Sequence, residues 1–205
     1  MDVKLNFINQ SAETDNPEIL VFQKNSADPS ELAIAWMVIR NCGYGDCHPF
    51  VYPDTQQIAA SDSWGNFTPS LDASPGQLFA MELEASGDQL VLAGNSSDPT
   101  QFQLANKLAA GAVNALVYKN GLLVAAKYGI APGQTASFAF TPTIWMGVVS
   151  QVVEGDVLNS AIIENANTEI SLLGVASADV VLTGGGSGPD ATPYVFTLDH
   201  VVMQS

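Results

Sequence analysis

The sequence predicts an all-β fold, an antiparallel β-sandwich of about 10–14 strands that is either one sandwich or two related β-sandwich halves. Three observations predict it. Short apolar, β-branched and aromatic runs follow one another along the chain, Gly, Pro, Asn and Asp separate them, and helical periodicity is almost absent. Regularly spaced short strands joined by turn residues are typical of sandwiches.

Strand-like runs fill most of the chain, and their patterns indicate how each is buried. Several alternate between apolar and polar residues, as 5–8 does, which predicts one buried and one solvated face. The run 34–39 is continuously apolar and predicts a central strand covered on both faces. In chain order, the predicted strands are residues 3–9, 18–23, 32–39, 77–83, 89–92, 112–119, 122–127, 135–140, 144–149, 169–173, 179–182 and 194–198.

Turn residues support the same strands. Asn120-Gly121 lies between two such runs and predicts a two-residue hairpin, because a type I′ turn needs positive φ at both central positions. Ser86-Gly87-Asp88 predicts a second hairpin. The glycine-rich segment 184–189 predicts a flexible connector before the last strand.

A weak internal echo suggests a duplication. Segments 7–10, 20–25 and 75–77 resemble segments 104–107, 116–120 and 132–134 in the same order. The last two segments are farther apart in the first copy, which would therefore carry an insertion near 32–70. The sequence therefore predicts either a single β-sandwich domain over residues 1–205 or two β domains. In the second case, the domains are 1–93, with that insertion, and 102–205, and they meet near 94–101.

The charge balance excludes several partners. The chain has 21 acidic and six basic side chains and a net charge of −15, whereas nucleic-acid binders neutralise phosphates with Lys and Arg. We therefore expect no nucleic-acid partner, and anionic membrane surfaces are disfavoured too. No apolar run approaches the ~20 residues of a transmembrane helix. The first residues alternate like a strand and lack a signal peptide's apolar region, so we expect a cytoplasmic location or export by a non-classical route.

Both cysteines, the only arginine and one of the two histidines lie within residues 40–50. Cys42, Cys47 and His48 would offer zinc three ligands and His200 a fourth, but the spacing matches no established zinc motif. We therefore predict a loop with packed cysteines, no metal and no cofactor. A short disulfide between the cysteines is the alternative in an oxidising environment.

The stretch 61–69 has the composition of a carbohydrate-binding loop, with Trp64 and Phe67 beside Asp62 and Asn66. In such a loop, a ring stacks on a sugar face and polar groups bind its hydroxyls. The alternative, which we favour on the sequence, is a hairpin turn with both rings folded inward, because tryptophan is usually well buried. The candidate ligand-binding residues are Asp62, Trp64 and Asn66, together with Tyr44 in the 41–50 loop.

Three classes of function remain. The first expectation is a non-catalytic structural protein that assembles with itself into homo-oligomers or filaments, because lysines that blunt strand edges are scarce. The second is a binding module for a glycan, a lipid headgroup or a protein, using loops 41–50 and 61–69. The third is a metal-dependent enzyme centred on Cys42, Cys47 and the histidines. Catalysis ranks last because general bases are few.

Overall fold

The computed structural model describes residues 1–13 and 16–204, and within them the predicted all-β class is confirmed. In this described part of the chain, sixteen strands form four sheets of four strands each. One short α-helix of the same part, α1 (Ser160–Asn165), lies between the thirteenth and fourteenth strands. In chain order, the strands are β1 Val3–Asn9, β2 Glu18–Phe22, β3 Ala35–Ile39, β4 Cys47–Tyr52, β5 Gln56–Ser61, β6 Leu71–Ala73, β7 Gln77–Glu84, β8 Gly87–Asn95, β9 Phe102–Asn106, β10 Val113–Lys119, β11 Leu122–Ile130, β12 Thr135–Phe138, β13 Thr143–Val149, β14 Thr168–Ser171, β15 Val175–Gly185 and β16 Thr192–Met203.

By its internal contacts, the described chain divides into two compact units. Unit 1 takes up Met1–Gln23, Leu32–Asp54 and the chain from Pro142 onward. Unit 2 takes up Lys24–Glu31 and Thr55–Thr141. The number of independently folding domains stays a prediction.

Unit 1 contains the sheets β16-β15-β1-β4 and β14-β13-β2-β3. All its strand pairs are antiparallel except β1 with β15. Trp36 and Tyr52, one from each sheet, meet edge to face with ring centroids 6.1 Å apart in the core. Leu20 and Phe22 of the second sheet form a further apolar cluster with Leu158 of the β13–β14 connection. The second sheet is therefore covered on both faces, as the continuously apolar run 34–39 predicts. The predicted central position of that run is wrong, because β3 lies at the edge of the sheet.

Unit 2 contains the sheets β11-β10-β5-β6 and β12-β9-β7-β8. Its strand pairs are antiparallel except β7 with β9. The rings of Phe102 and Phe138 stack with centroids 5.5 Å apart, and Phe79 is fully buried. Asn120 and Gly121 have φ values of 51° and 76°, as the predicted hairpin requires.

The two units share one strand topology. Strands β1–β4 correspond to β9–β12, and β13–β16 correspond to β5–β8. Each of the six strand pairs in unit 1 has a counterpart of the same direction in unit 2. Residues 32–70 carry strands that all have counterparts, so the internal echo needs no insertion there.

Two of the three echoed segment pairs correspond in the structure, because they lie on β1 and β9 and on β2 and β10. The third does not, since Pro75-Gly76 leads into β7 whereas Pro132-Gly133 leads into β12. The expected loop over 40–50 is wrong in its second part, where β4 begins at Cys47. No described helix has the length and apolar character needed to cross a membrane.

Candidate functional site

The β5–β6 loop of unit 2 is held in one conformation by the Asp62 carboxylate. It accepts hydrogen bonds from the backbone amides of Trp64 and Asn66, both at 2.9 Å, and from the Asn66 side-chain amide at 2.8 Å. The Asp62 amide donates to the Asn66 carbonyl at 3.0 Å, and Gly65 supplies the positive φ of 85° at the tip. The Asn66 side chain, followed by these backbone amides, lowers the pKa of Asp62, which is therefore ionised at neutral pH.

This ordered loop presents two aromatic rings to solvent. Trp64 is 86 % exposed and Phe67 is 69 % exposed. The alternative in which both rings fold inward is therefore wrong. Tryptophan is seldom so exposed, and large apolar side chains that a rigid loop holds in water are typical of binding surfaces.

A groove of about 400 Å³ runs beside the loop. On the loop side it is lined by Asp62, Asn66, Phe67 and Thr68, and the β7–β8 hairpin adds Ser86, Asp88 and Gln89. The buried side chains of Met81 and Leu90 add apolar surface. Among the described residues that line it, none is a lysine or an arginine. The groove therefore combines one aromatic ring, that of Phe67, with hydroxyl, amide and carboxylate groups and carries no positive charge. Trp64 belongs to the same loop but is not among the lining residues.

In unit 1, the corresponding connection exposes Val153 and Val157 but no aromatic ring. This β13–β14 connection lies at the position of the β5–β6 loop. There, Val152, Leu158 and Ala166 are buried in the cluster against β2 and β3. The exposure of Trp64 and Phe67 is thus a property of the unit 2 loop itself and not of this position in the fold.

Tyr44 lies in the β3–β4 turn of unit 1, whereas the other candidate ligand-binding residues belong to unit 2. Its side chain is 77 % exposed. The turn is closed by backbone hydrogen bonds from Gly45 to Asn9 at 2.7 Å and from Asp46 to Gly43 at 3.0 Å. Tyr44 therefore lies apart from the other three candidates in the fold. Asp62, Trp64 and Asn66 share one loop.

The four candidate metal ligands do not converge. Cys47 and His48 lie on β4 and His200 on β16, the two opposite edges of one sheet, with β15 and β1 between them. Three strand spacings of about 4.8 Å separate these edges by roughly 14 Å. Cys42 is buried and Cys47 is exposed, and both thiols are free. Among the residues that the structure describes, no three His, Cys, Asp or Glu side chains lie together as a metal ion would require.

Each of these candidates has a local environment that does not require a ligand. Burial, reinforced by the nearby Asp46 carboxylate, raises the pKa of the Cys42 thiol and makes it a poor nucleophile. His200 Nδ1 lies 2.8 Å from Asp179 Oδ2, and this hydrogen bond raises the pKa of the imidazole. Cys47 and His48, adjacent on a strand, point to opposite faces.

Unit 2 contains an ion-pair cluster that no sequence pattern indicates. Lys127 Nζ lies 2.8 Å from Asp28 Oδ2 and 3.5 Å from Glu31 Oε1, beside a groove of about 440 Å³. The hydrogen bond from Lys127 lowers the pKa of Asp28, whereas burial raises the pKa of Glu31. Asn25 donates to the Ser137 carbonyl at 2.9 Å. These contacts fasten the segment Lys24–Glu31 onto unit 2, which is a structural role.

Sequence reasoning missed the hairpin side of the candidate groove. The sequence predicts a turn at Ser86-Gly87-Asp88, but no local pattern indicates that this turn lies beside the loop 61–69.

Comparison with known proteins finds no family model, curated protein or solved structure that matches the chain.

Proposed function

We propose that the protein is a non-catalytic binding module for a neutral glycan, and that its site is the β5–β6 loop with the groove beside it. The single observation that carries this proposal is the ordered loop that holds Trp64 86 % exposed and Phe67 69 % exposed. The loop is already fixed by Asp62, so binding needs little further ordering, and preorganisation of this kind favours affinity.

The groove chemistry supports a sugar over other ligands. An aromatic ring offers a flat apolar surface to the C–H face of a pyranose. Hydroxyl, amide and carboxylate groups of Thr68, Gln89 and Asp88 accept or donate hydrogen bonds as sugar hydroxyls require. The absence of Lys and Arg among the described lining residues, with the net charge of −15, disfavours sulfated or uronic-acid glycans.

The test is a glycan array probed with the whole chain, followed by titration calorimetry on the glycans that bind. We expect binding to neutral oligosaccharides. Trp64→Ala and Phe67→Ala should each weaken binding about tenfold or more, since about 1.4 kcal/mol of lost ring contact corresponds to that factor. Tyr44→Ala is the matched control, because it removes an equally exposed ring outside the site.

Two results would contradict the proposal. One is an array on which no neutral glycan binds. The other is a bound glycan whose affinity falls equally in Tyr44→Ala and in Trp64→Ala, because then the loop would not be the site.

Strand β16 supports self-assembly as a second candidate function. It is a 12-residue edge strand without a lysine, its one carboxylate is Asp199, and it exposes Val195, Val202 and Met203. Long edge strands with few charged side chains are prone to pair with other chains. Light scattering coupled to size exclusion over a concentration series should then show homo-oligomers that Val202→Lys reduces. Val153→Lys, at an exposed loop position, is the matched control. A protein that stays monomeric at every concentration would exclude this function.

A further inference from the structure

We infer that the chain is a tandem duplication whose two copies, residues 1–95 and 102–205, have exchanged halves. Each copy therefore binds the other, and their association does not need the covalent connection between them. Copy 1 carries β1–β8 and copy 2 carries β9–β16. The inference goes beyond the proposed function and does not depend on it.

The strand order carries the first part of the argument. The four strands β1–β4 of copy 1 complete unit 1 with β13–β16 of copy 2. Their counterparts in copy 2, β9–β12, complete unit 2 with β5–β8 of copy 1. Each unit is thus the first half of one copy joined to the second half of the other, which is the arrangement of a symmetric dimer with swapped halves.

One irregularity of the sheets repeats as well. The register between β2 and β3 shifts between Val21 and Phe22. The register between β10 and β11 shifts between Val117 and Tyr118, at the corresponding point. Bulges are features of a particular fold and not of sandwiches in general, so their shared position indicates common descent.

A buried asparagine repeats in the same role. The Asn9 side-chain oxygen accepts a hydrogen bond from the Ser11 amide at 2.9 Å. The Asn106 side-chain oxygen accepts one from the Leu108 amide at 3.0 Å. In both cases, the residue ends the first strand of its copy and the donor follows two positions later.

The other end of each asparagine side chain closes an equivalent turn. One amide donates to the Cys42 carbonyl at 2.7 Å in the β3–β4 turn, and the other to the Ile130 carbonyl at 2.9 Å where β11 ends. The residues just before these acceptors, Asn41 and Gly129, have φ values of 56° and 71°. Positive φ is uncommon outside glycine, so its presence at Asn41 indicates that this turn requires the same left-handed conformation that Gly129 adopts.

The junction between the copies runs through the centre of every sheet. In each of the four sheets, the two central strands come from different copies and each copy supplies two strands. The facing residues there are buried, as in the pairs Phe7 with Val180 and Ile58 with Val117. Neither copy alone closes a sandwich. An apolar junction of this kind is typical of obligate subunits.

The test uses the full chain with a site-specific protease site inserted between Asp98 and Pro99, in the β8–β9 connection, and cleaved after folding. We expect the two fragments to elute together at micromolar concentration, with a native mass equal to that of the uncut chain plus one water. Melting of the cut protein should become concentration-dependent, because unfolding then releases two chains. The uncut insertion variant is the control, and its melting temperature should not depend on concentration.

Either of two results would overturn the inference. Fragments that separate on the column under native conditions would show that the copies do not hold one another. A cut protein whose melting temperature does not vary with concentration would show that each fragment keeps its own fold.

Discussion

Asp62 determines the shape of the candidate loop through its ionised carboxylate. Its pKa is lowered, so the native loop is stabilised at pH values above the ordinary value of 3.8 and loses this contribution as the pH falls through the depressed pKa. We therefore expect glycan affinity to be constant from about pH 8 to about pH 4 and to fall only below that. Calorimetric titration at several pH values checks this. A loss of affinity between pH 7 and pH 5 would show that another group controls binding.

Asn9 and Asn106 are expected to contribute similarly to stability, because each satisfies buried backbone groups on both sides of a turn. Replacing either with alanine leaves those groups unpaired and should cost about 2–4 kcal/mol of unfolding free energy. Urea denaturation measures it. The control is Asn6→Ala, which removes one 3.2 Å hydrogen bond at a half-buried site and should cost under about 1 kcal/mol.

Equal small losses in all three asparagine variants would contradict this account of the turns.

At the scale of single residues, the sequence indicated the chemistry of the 61–69 loop but not the direction of its rings. The segment is short, and whether it folds over the sheet or away from it depends on neighbours distant in sequence.

At Gly147, strand β13 packs directly against Ala166 of the β13–β14 connection. A Cβ at this position would lie 2.2 Å from both Cα and Cβ of Ala166, so Gly147→Ala must displace that connection. We expect a loss of about 2–3 kcal/mol in urea denaturation. The counterpart in β5 is Ala59, where a Cβ is already present, and Ala59→Gly should cost only about 1 kcal/mol. A neutral Gly147→Ala would contradict the described packing.

Most elements were predictable from the sequence, because alternating apolar residues and an Asn-Gly turn act locally. All twelve predicted strands lie on observed strands. The structure adds four that the sequence did not reveal, β4, β5, β6 and β9. β6 has three residues, and β4 is an edge strand with exposed Cys47, His48 and Pro49, so neither carries a strong apolar pattern. The short helix α1 has no buried residue, so no strong apolar periodicity marks it in the sequence either.

The pairing of strands, which determines the fold of the whole molecule, was not predictable from the sequence. The echo of β1 in β9 and of β2 in β10 indicated a repeat, and the repeat boundary near 94–101 coincides with the β8–β9 connection. Local patterns describe a strand's own faces but not which strand lies beside it. They therefore do not distinguish copies that fold separately from copies that exchange halves.

The exchange also affects the candidate site. The loop and the hairpin that line the groove both belong to residues 55–95 of copy 1, whereas β9–β12, which complete unit 2, come from copy 2. We expect glycan affinity to survive cleavage between Asp98 and Pro99, because the cut protein keeps all four sheets. Loss of affinity with retained association would show that the β8–β9 connection itself takes part in binding.

The measurement that tests the central claim most directly is quenching of Trp64 fluorescence by acrylamide during titration with a neutral oligosaccharide from the array. Of the three tryptophans, Trp36 is fully buried, Trp145 is partly buried against Phe22 and Trp64 is 86 % exposed, so Trp64 dominates the quenchable emission. We predict saturable protection from quenching that is absent in Trp64→Ala and unchanged in Tyr44→Ala. Quenching that stays constant at saturating glycan, or protection that persists in Trp64→Ala, would contradict the proposed site.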